Sequence, residues 1–254
     1  MELDVALCQI RPVPGDVEAN AERVGTLLET VDAEVLLMPE LFLNGYGTPV
    51  PDEEDIDCAI GMLSDVCRHL DKAVALGSPR YVDGVPRNSL AFLSPDGDSW
   101  YDKMHLARFG VYAESGYDEG EEPTMGSYHG VLFGMCVCYD IFFPEILHGC
   151  SLRGSAVNIC TAASATQSKR FLDRVLPARA LEDVTYTAYI NNVGPMAGLD
   201  MHGCSRGLDP FGDVIAECGT KEGVAIMHVD TDLLKEMREV RRHLADFRQE
   251  VEWF

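Results

Sequence analysis

Three stretches of this chain are apolar almost without interruption: "EVLLMPELF" at 34–42, "GVLFGMCVCYD" at 130–140 and "AVNIC" at 156–160. A strand that is apolar at nearly every position, rather than at every second one, belongs in a sheet covered on both faces. Helical segments lie between such runs. "DVEANAERVGTLLETVDA" (16–33) brings Val17, Val24, Leu27, Leu28 and Val31 to one face, and "IDCAIGMLSDVCRHL" (56–70) reads as a second helix. "LDVALCQI" (3–10) predicts an opening strand. "AVALGSPRYV", the turn "DGVPR" and "NSLAFLSPDGDSWYDKMHL" predict a hairpin-bearing series of strands. Helices are predicted over "IFFPEILHGCSLRGS", over 169–184 with a kink or fresh start at Pro177, and over "LLKEMREVRRHLADFR" at the end. "TAYINNVG", "HGCSRGLDPFGDVIAEC" and "GVAIMHVDTD" supply the last strands. Strands alternating with helices, without a long linker or a repeat, predict one layered α/β domain over residues 1–254.

Composition narrows the function. The first residues, "MELDVALCQI", carry no basic-plus-apolar signal, and no apolar run reaches the roughly 18 residues of a membrane span, so a cytoplasmic protein with no membrane partner is expected. Forty-two acids against twenty bases give a net charge of −22, and only five of the bases are lysines. Nucleic-acid binding is disfavoured, because phosphate contacts need clustered Lys and Arg. So acidic a composition resembles that of proteins from salt-loving microbes, whose carboxylate-rich surface stays hydrated while salt screens the self-repulsion. The nine cysteines are scattered through apolar context with no Cys-x-x-Cys pair, the pattern of free thiols in a reducing compartment.

Chemistry could start from three places. Cys138 stands where a buried strand gives way to the polar "YD", and a sharp strand-to-helix turn there would free backbone N–H groups for an oxyanion. Cys136 would share its strand face but sit deeper. Glu40 directly follows an apolar strand, where low-dielectric surroundings would raise its carboxyl toward a general base; the alternative is a capping glutamate. Lys103, in "WYDKMHLARFG", is one of few lysines and has apolar neighbours; it could hold an oxyanion or simply snorkel to the surface.

In chain order, "PELFLNGY", "DKMHL" and "CYDIFFPE" resemble the three signature blocks of the carbon–nitrogen hydrolase (nitrilase) superfamily, and "AESGYDEG" resembles its stretch after the lysine. "VALCQI…GDVEAN", "LPARALEDVTYTAYINNVG" and "HGCSRGLDPFGDVIAE" extend the similarity over nearly the whole chain, with Asp183 where asparagine is common. The resemblance implies an α-β-β-α sandwich, assembly into homodimers or larger oligomers, and chemistry without a metal or cofactor. It implies Glu40 as base, Lys103 and the backbone N–H of Tyr139 as oxyanion donors, Cys138 as nucleophile and Glu114 as the second active-site glutamate. The expected activity is hydrolysis of a small amide through a thioester, with a small aliphatic amide favoured. The residues after the nucleophile, Ile141, Phe142 and Phe143, lack the arginine found in relatives that take carboxylate-bearing amides. Cys138-Tyr139-Asp140 is nearer the amidase and carbamoylase branches than the Cys-Trp-Glu of true nitrilases. Ala162, Ala163 and Ser164 fall in the family's pocket-lining region. Acyl transfer shares the same thioester and stays open, as do an N-carbamoyl substrate and a nitrile. Three competing readings also stand: a thiol hydrolase with His105 or His202 as base, metal binding through Cys136, Cys138, His202 and Cys204, and an idle binding module.

Overall fold

Asp16 accepts a hydrogen bond from the backbone of Ala19 and so starts the first helix where the sequence turns polar. The computed structural model describes residues 1–109 and 114–248. Its first half runs β1 (Glu2–Gln9), α1 (Val17–Thr30), β2 (Val35–Leu37), α2 (Glu53–Leu70), β3 (Ala73–Val82), β4 (Val85–Leu93) and β5 (Ser99–Asp102). There follow β6 (Met125–Tyr128), β7 (Val131–Val137), a 3-10 turn at Cys138–Phe142, α3 (Pro144–Leu152), β8 (Val157–Ala162) and α4 (Lys169–Asp183). The last part holds β9 (Tyr186–Asn191), β10 (Val193–Met196), β11 (Leu199–His202), β12 (Arg206–Leu208), β13 (Val214–Glu217), β14 (Gly223–Asp230) and α5 (Thr231–Val240).

These strands make two six-stranded sheets, in the orders β14-β1-β2-β3-β4-β5 and β13-β12-β9-β8-β7-β6, with β10 and β11 as a separate hairpin. Each sheet has a parallel trio at its centre, β1-β2-β3 in one and β7-β8-β9 in the other. Val5, Leu37 and Phe92 of the first sheet share a core with Phe133, Met135 and Ile159 of the second, and the Phe92 and Phe133 rings lie 5.0 Å apart. On its other face the first sheet sets Ala6, Leu36 and Val74 against Val24 and Leu28 of α1 and Ile56 and Leu63 of α2. The second sheet is covered by Ile146 and Leu147 of α3 and by Leu172 and Leu176 of α4. The result is the expected α-β-β-α sandwich.

Four local expectations change. The strand expected over 34–42 stops at Leu37, because Pro39 has no N–H for a ladder and Leu41 takes φ 48°. The run stays apolar because the turn itself is buried. Cys138 does not share a strand face with Cys136, since β7 ends at Val137. Helix α4 passes through Pro177 in one piece. The closing helix stops at Val240, so only part of 233–248 is helical. Of the "AESGYDEG" block, residue 113 lies outside the described residues.

Candidate active site

Glu40 rides on the turn after β2. Leu43 N–H donates to Gly77 O at 3.0 Å, and Asn192 Nδ2 donates to Glu40 O at 2.9 Å, so the turn is tied to both sheets. Its approach to β3 is so close that a Cβ on Gly77 would lie 2.2 Å from Pro39 O and 2.5 Å from Leu41 N. Only a residue without a side chain lets this turn sit there.

Lys103 follows β5, and its backbone N–H donates to Asn88 O at 2.9 Å while its carbonyl accepts from Gly120 N–H at 2.8 Å. The side chain does not snorkel; it is wholly buried, as are Glu40 and Glu114. Lys103 Nζ donates to Glu40 Oε1 at 2.7 Å and to Glu114 Oε1 at 2.8 Å. The same two oxygens each accept from Asn88 Nδ2 at 2.8 Å. Ala163 N–H donates to Glu40 Oε2 and Ala107 N–H to Glu114 Oε2, both at 2.7 Å. Every oxygen of the two carboxylates thus has a donor, which a buried acid pair requires.

The electrostatics follow from one ammonium among two acids. Burial pushes the Glu40 carboxyl up to about 7; Lys103 pulls against that, and the charge of Glu114 adds to it. Burial opposes the charge on Lys103, but Glu40 and Glu114 outweigh it and hold the ammonium well above the ordinary lysine value.

Cys138 leaves β7 with φ 52°, in the left-handed region that non-glycine residues enter at a cost of roughly 1–2 kcal/mol. This bend turns the side chain off the strand and opens the 3-10 turn. Tyr139 lies in that first turn, where backbone N–H groups have no acceptor within the helix. Two side chains that motif reading left without a role hold the turn. Asp140 is buried and accepts from Tyr101 Oη at 2.8 Å, Val137 N–H at 3.2 Å and His105 N–H at 2.9 Å. Arg179, from α4, donates to the carbonyls of Ile141 at 2.9 Å and Phe142 at 3.3 Å. Cys138 Sγ lies 3.5 Å from Ser164 Oγ. Burial raises the thiol above the ordinary cysteine value and the charge of Glu40 raises it further, while Lys103 and the Ser164 hydroxyl pull it down.

The structure therefore gathers Glu40, Lys103 and Glu114 into one buried cluster within electrostatic reach of Cys138. Of the region 162–164, Ala162 ends β8, Ala163 gives its N–H to Glu40 and Ser164 touches the thiol. Sequence reading missed Asn88, which stands between Arg87 and Ser89 in the polar first half of β4 and has no local signal that sets it apart. Cys136 is fully buried and its register partner in β8 is Cys160. His105 Nδ1 lies 3.0 Å from Asp140 Oδ1 and its ring stacks on Phe143 at 3.6 Å. His202 is buried with neither ring nitrogen hydrogen-bonded; burial, with Lys169 and Arg206 nearby, pushes it down to about 4. Neither histidine is hydrogen-bonded to Cys138 among the described residues. Those residues include no group of three or more His, Cys, Asp or Glu side chains placed to hold a metal.

Residues 4–239 match the sequence profile of the carbon–nitrogen hydrolases. A protein described as a hydrolase in the pqqF 5′ region of Pseudomonas protegens is 31% identical over 97% of this chain and 90% of its own length. An (R)-stereoselective amidase of a Pseudomonas species is 29% identical over 97% of this chain and 92% of its own. Among solved structures, an amidase from Nesterenkonia superposes with a TM-score of 0.81 and 27% identity, covering 94% of this chain and 95% of that one. A glutamate variant of that amidase carries the acetamide moiety of fluoroacetamide attached covalently to its active-site cysteine.

Proposed function

The chain belongs to the carbon–nitrogen hydrolase family and is a hydrolase of carbon–nitrogen bonds; within that activity we propose that it cleaves small aliphatic amides through a thioester on Cys138. Glu40 takes the proton of the thiol as sulfur attacks the amide carbonyl carbon. Two of the three ammonium N–H bonds of Lys103 point to Glu40 and Glu114. The third, with the backbone N–H of Tyr139, holds the oxyanion of the tetrahedral intermediate. Glu40 returns the proton to the departing ammonia or amine and then activates the water that releases the acid and restores the thiol. Glu114 keeps Lys103 charged and oriented.

The observation that carries this reading is the Glu40–Lys103–Glu114 cluster, fully buried and within electrostatic reach of the strained turn that bears Cys138. A lone buried lysine or a capping glutamate does not require such an arrangement. The acetamide moiety on the Nesterenkonia cysteine keeps its amide, so it is an alkylated thiol formed by loss of fluoride, and it supports a nucleophilic cysteine in that relative. Ile141, Phe142 and Phe143 offer no cation after Asp140, which favours an uncharged acyl group.

The test is ammonia release from short aliphatic amides, with hydroxylamine added to capture the acyl group as a hydroxamate. Cys138→Ala should lose turnover and hydroxamate formation by at least about a thousandfold, while Cys136→Ala keeps most of both. Equal losses in the two variants, each still folded, would remove Cys138 from the mechanism.

A further inference from the structure

Cys138 Sγ has a neighbour that the amide mechanism leaves unused, the hydroxyl of Ser164 at 3.5 Å. Ser164 is 7% exposed, and its backbone is gripped on both sides by one side chain. Ser164 N–H donates to Asn191 Oδ1 at 2.8 Å, and Asn191 Nδ2 donates back to Ser164 O at 3.1 Å. The same Nδ2 donates to Gly203 O at 3.0 Å, and His202 N–H donates to Ser164 O at 3.2 Å. Bonded by one amide at both its N–H and its C=O, Ser164 has little backbone freedom, and its hydroxyl lies between the Cys138 sulfur and the Tyr189 side chain.

The grip extends into the other sheet. Asn191 N–H donates to Ser205 Oγ at 2.9 Å, and Ser205 Oγ donates to Gln9 Oε1 at 2.7 Å. Gln9 Nε2 donates to Gly219 O at 2.8 Å and to Lys221 O at 2.6 Å. Gln9, Asn191 and Ser205 are wholly buried. Gly203, at φ 60°, makes room for this chain, since a Cβ there would lie 2.7 Å from Gln9 Nε2. Buried polar groups this fully satisfied hold one geometry.

We propose that Ser164 is a further catalytic residue whose hydroxyl donates a hydrogen bond to the sulfur of Cys138 as it becomes a thiolate, and that Asn191 is its positioning residue. The inference rests on Cys138 being the nucleophile. It assigns Ser164 to the attacking atom and not to the substrate. A donor on sulfur is worth most when the sulfur is charged, so its effect belongs to the ionisation and attack, not to amide binding.

The test follows the rate of Cys138 alkylation by iodoacetamide against pH, site by site by peptide mapping, in the native protein, Ser164→Ala and Ser164→Thr. The expected result is a midpoint about one pH unit higher in Ser164→Ala and a roughly tenfold lower rate at pH 7, with thermal stability little changed. Ser164→Thr, which keeps a hydroxyl, should restore most of the rate. Superposed profiles for the native protein and Ser164→Ala would overturn the inference while leaving Cys138 in place. So would a rise in KM for a small amide with an unmoved alkylation midpoint, which would make Ser164 a substrate contact. A native Cys138 that resists alkylation would instead remove the nucleophile itself, a failure of the wider mechanism.

Discussion

Glu40 can act as a base only when ionised, and burial holds its carboxyl at about 7. Below that value the proton already occupies the oxygen that must receive the thiol proton. The value of kcat/KM should therefore rise with pH through about 7 and level off above it, read from initial rates of ammonia release. Glu40→Gln keeps the shape without the basicity and should lower kcat by about two to four powers of ten at any pH. Asn88 sharpens the test. Its Nδ2 donates to both carboxylates, and the bond to Glu40 favours that residue's charged form. Asn88→Leu should move the acid limb of the profile to higher pH, and an unmoved limb would mean the bridge has no hold on Glu40. Asn88, Asp140 and Ser164 were not assigned these roles from the sequence. An asparagine early in a strand looks the same whether it faces solvent or bridges two buried acids.

The elements explain why the site residues stand where they do. Glu40 follows the end of β2 in one sheet, and Cys138 and Ser164 follow the ends of the paired parallel strands β7 and β8 in the other, where side chains emerge from the sheets. The turn after β2 depends on Gly77 of the neighbouring strand. Gly77→Ala would drive a methyl into Pro39 O and Leu41 N and push the turn, with Glu40, out of register with Lys103. Activity should fall by about a hundredfold, the scale set by a misplacement of about 1 Å, and stability by about 1–3 kcal/mol. Ammonia release and thermal melting measure the two; near-native activity would show that the turn can shift without cost. Most of the strands and helices were legible from apolar periodicity. Strands β6 and β11 went unread, and two elements end early, a strand at Leu37 and a helix at Val240, where apolar content or helical spacing continues but backbone geometry does not.

At the scale of the molecule, a net charge of −22 repels itself over the whole folded surface. Salt screens such repulsion within a Debye length, from about 10 Å at 0.1 M to about 3 Å at 1 M. The melting temperature should rise between 0.1 M and 2 M KCl, and light scattering over the same range should find the homodimer or larger assembly expected of the family at the high-salt end. Phe171 and Leu181 on α4, with Phe211, are more than half exposed, apolar surface that an assembly could cover. A melting temperature flat in KCl would mean that the acids are spaced widely enough not to repel, and a monomer throughout would remove the expected assembly.

Most of the order of strands and helices, and Glu40, Lys103 and Cys138 as candidates, came from the chain alone, because periodicity and the ends of apolar runs are local properties. Glu114 and the catalytic roles came from the resemblance of short motifs to a family. The sandwich came from its resemblance to a family. Only the tertiary structure decided that Lys103 is buried between two acids, that Asn88 bridges them, and that Ser164 stands against the thiol. Those contacts join residues far apart in sequence: Lys103 is 63 residues from Glu40, Asn88 is 48 from Glu40, Ala163 is 123 from Glu40 and Ser205 is 196 from Gln9. No pattern within one segment records which distant segment it will meet, and the proton affinity of a carboxylate is set by that meeting.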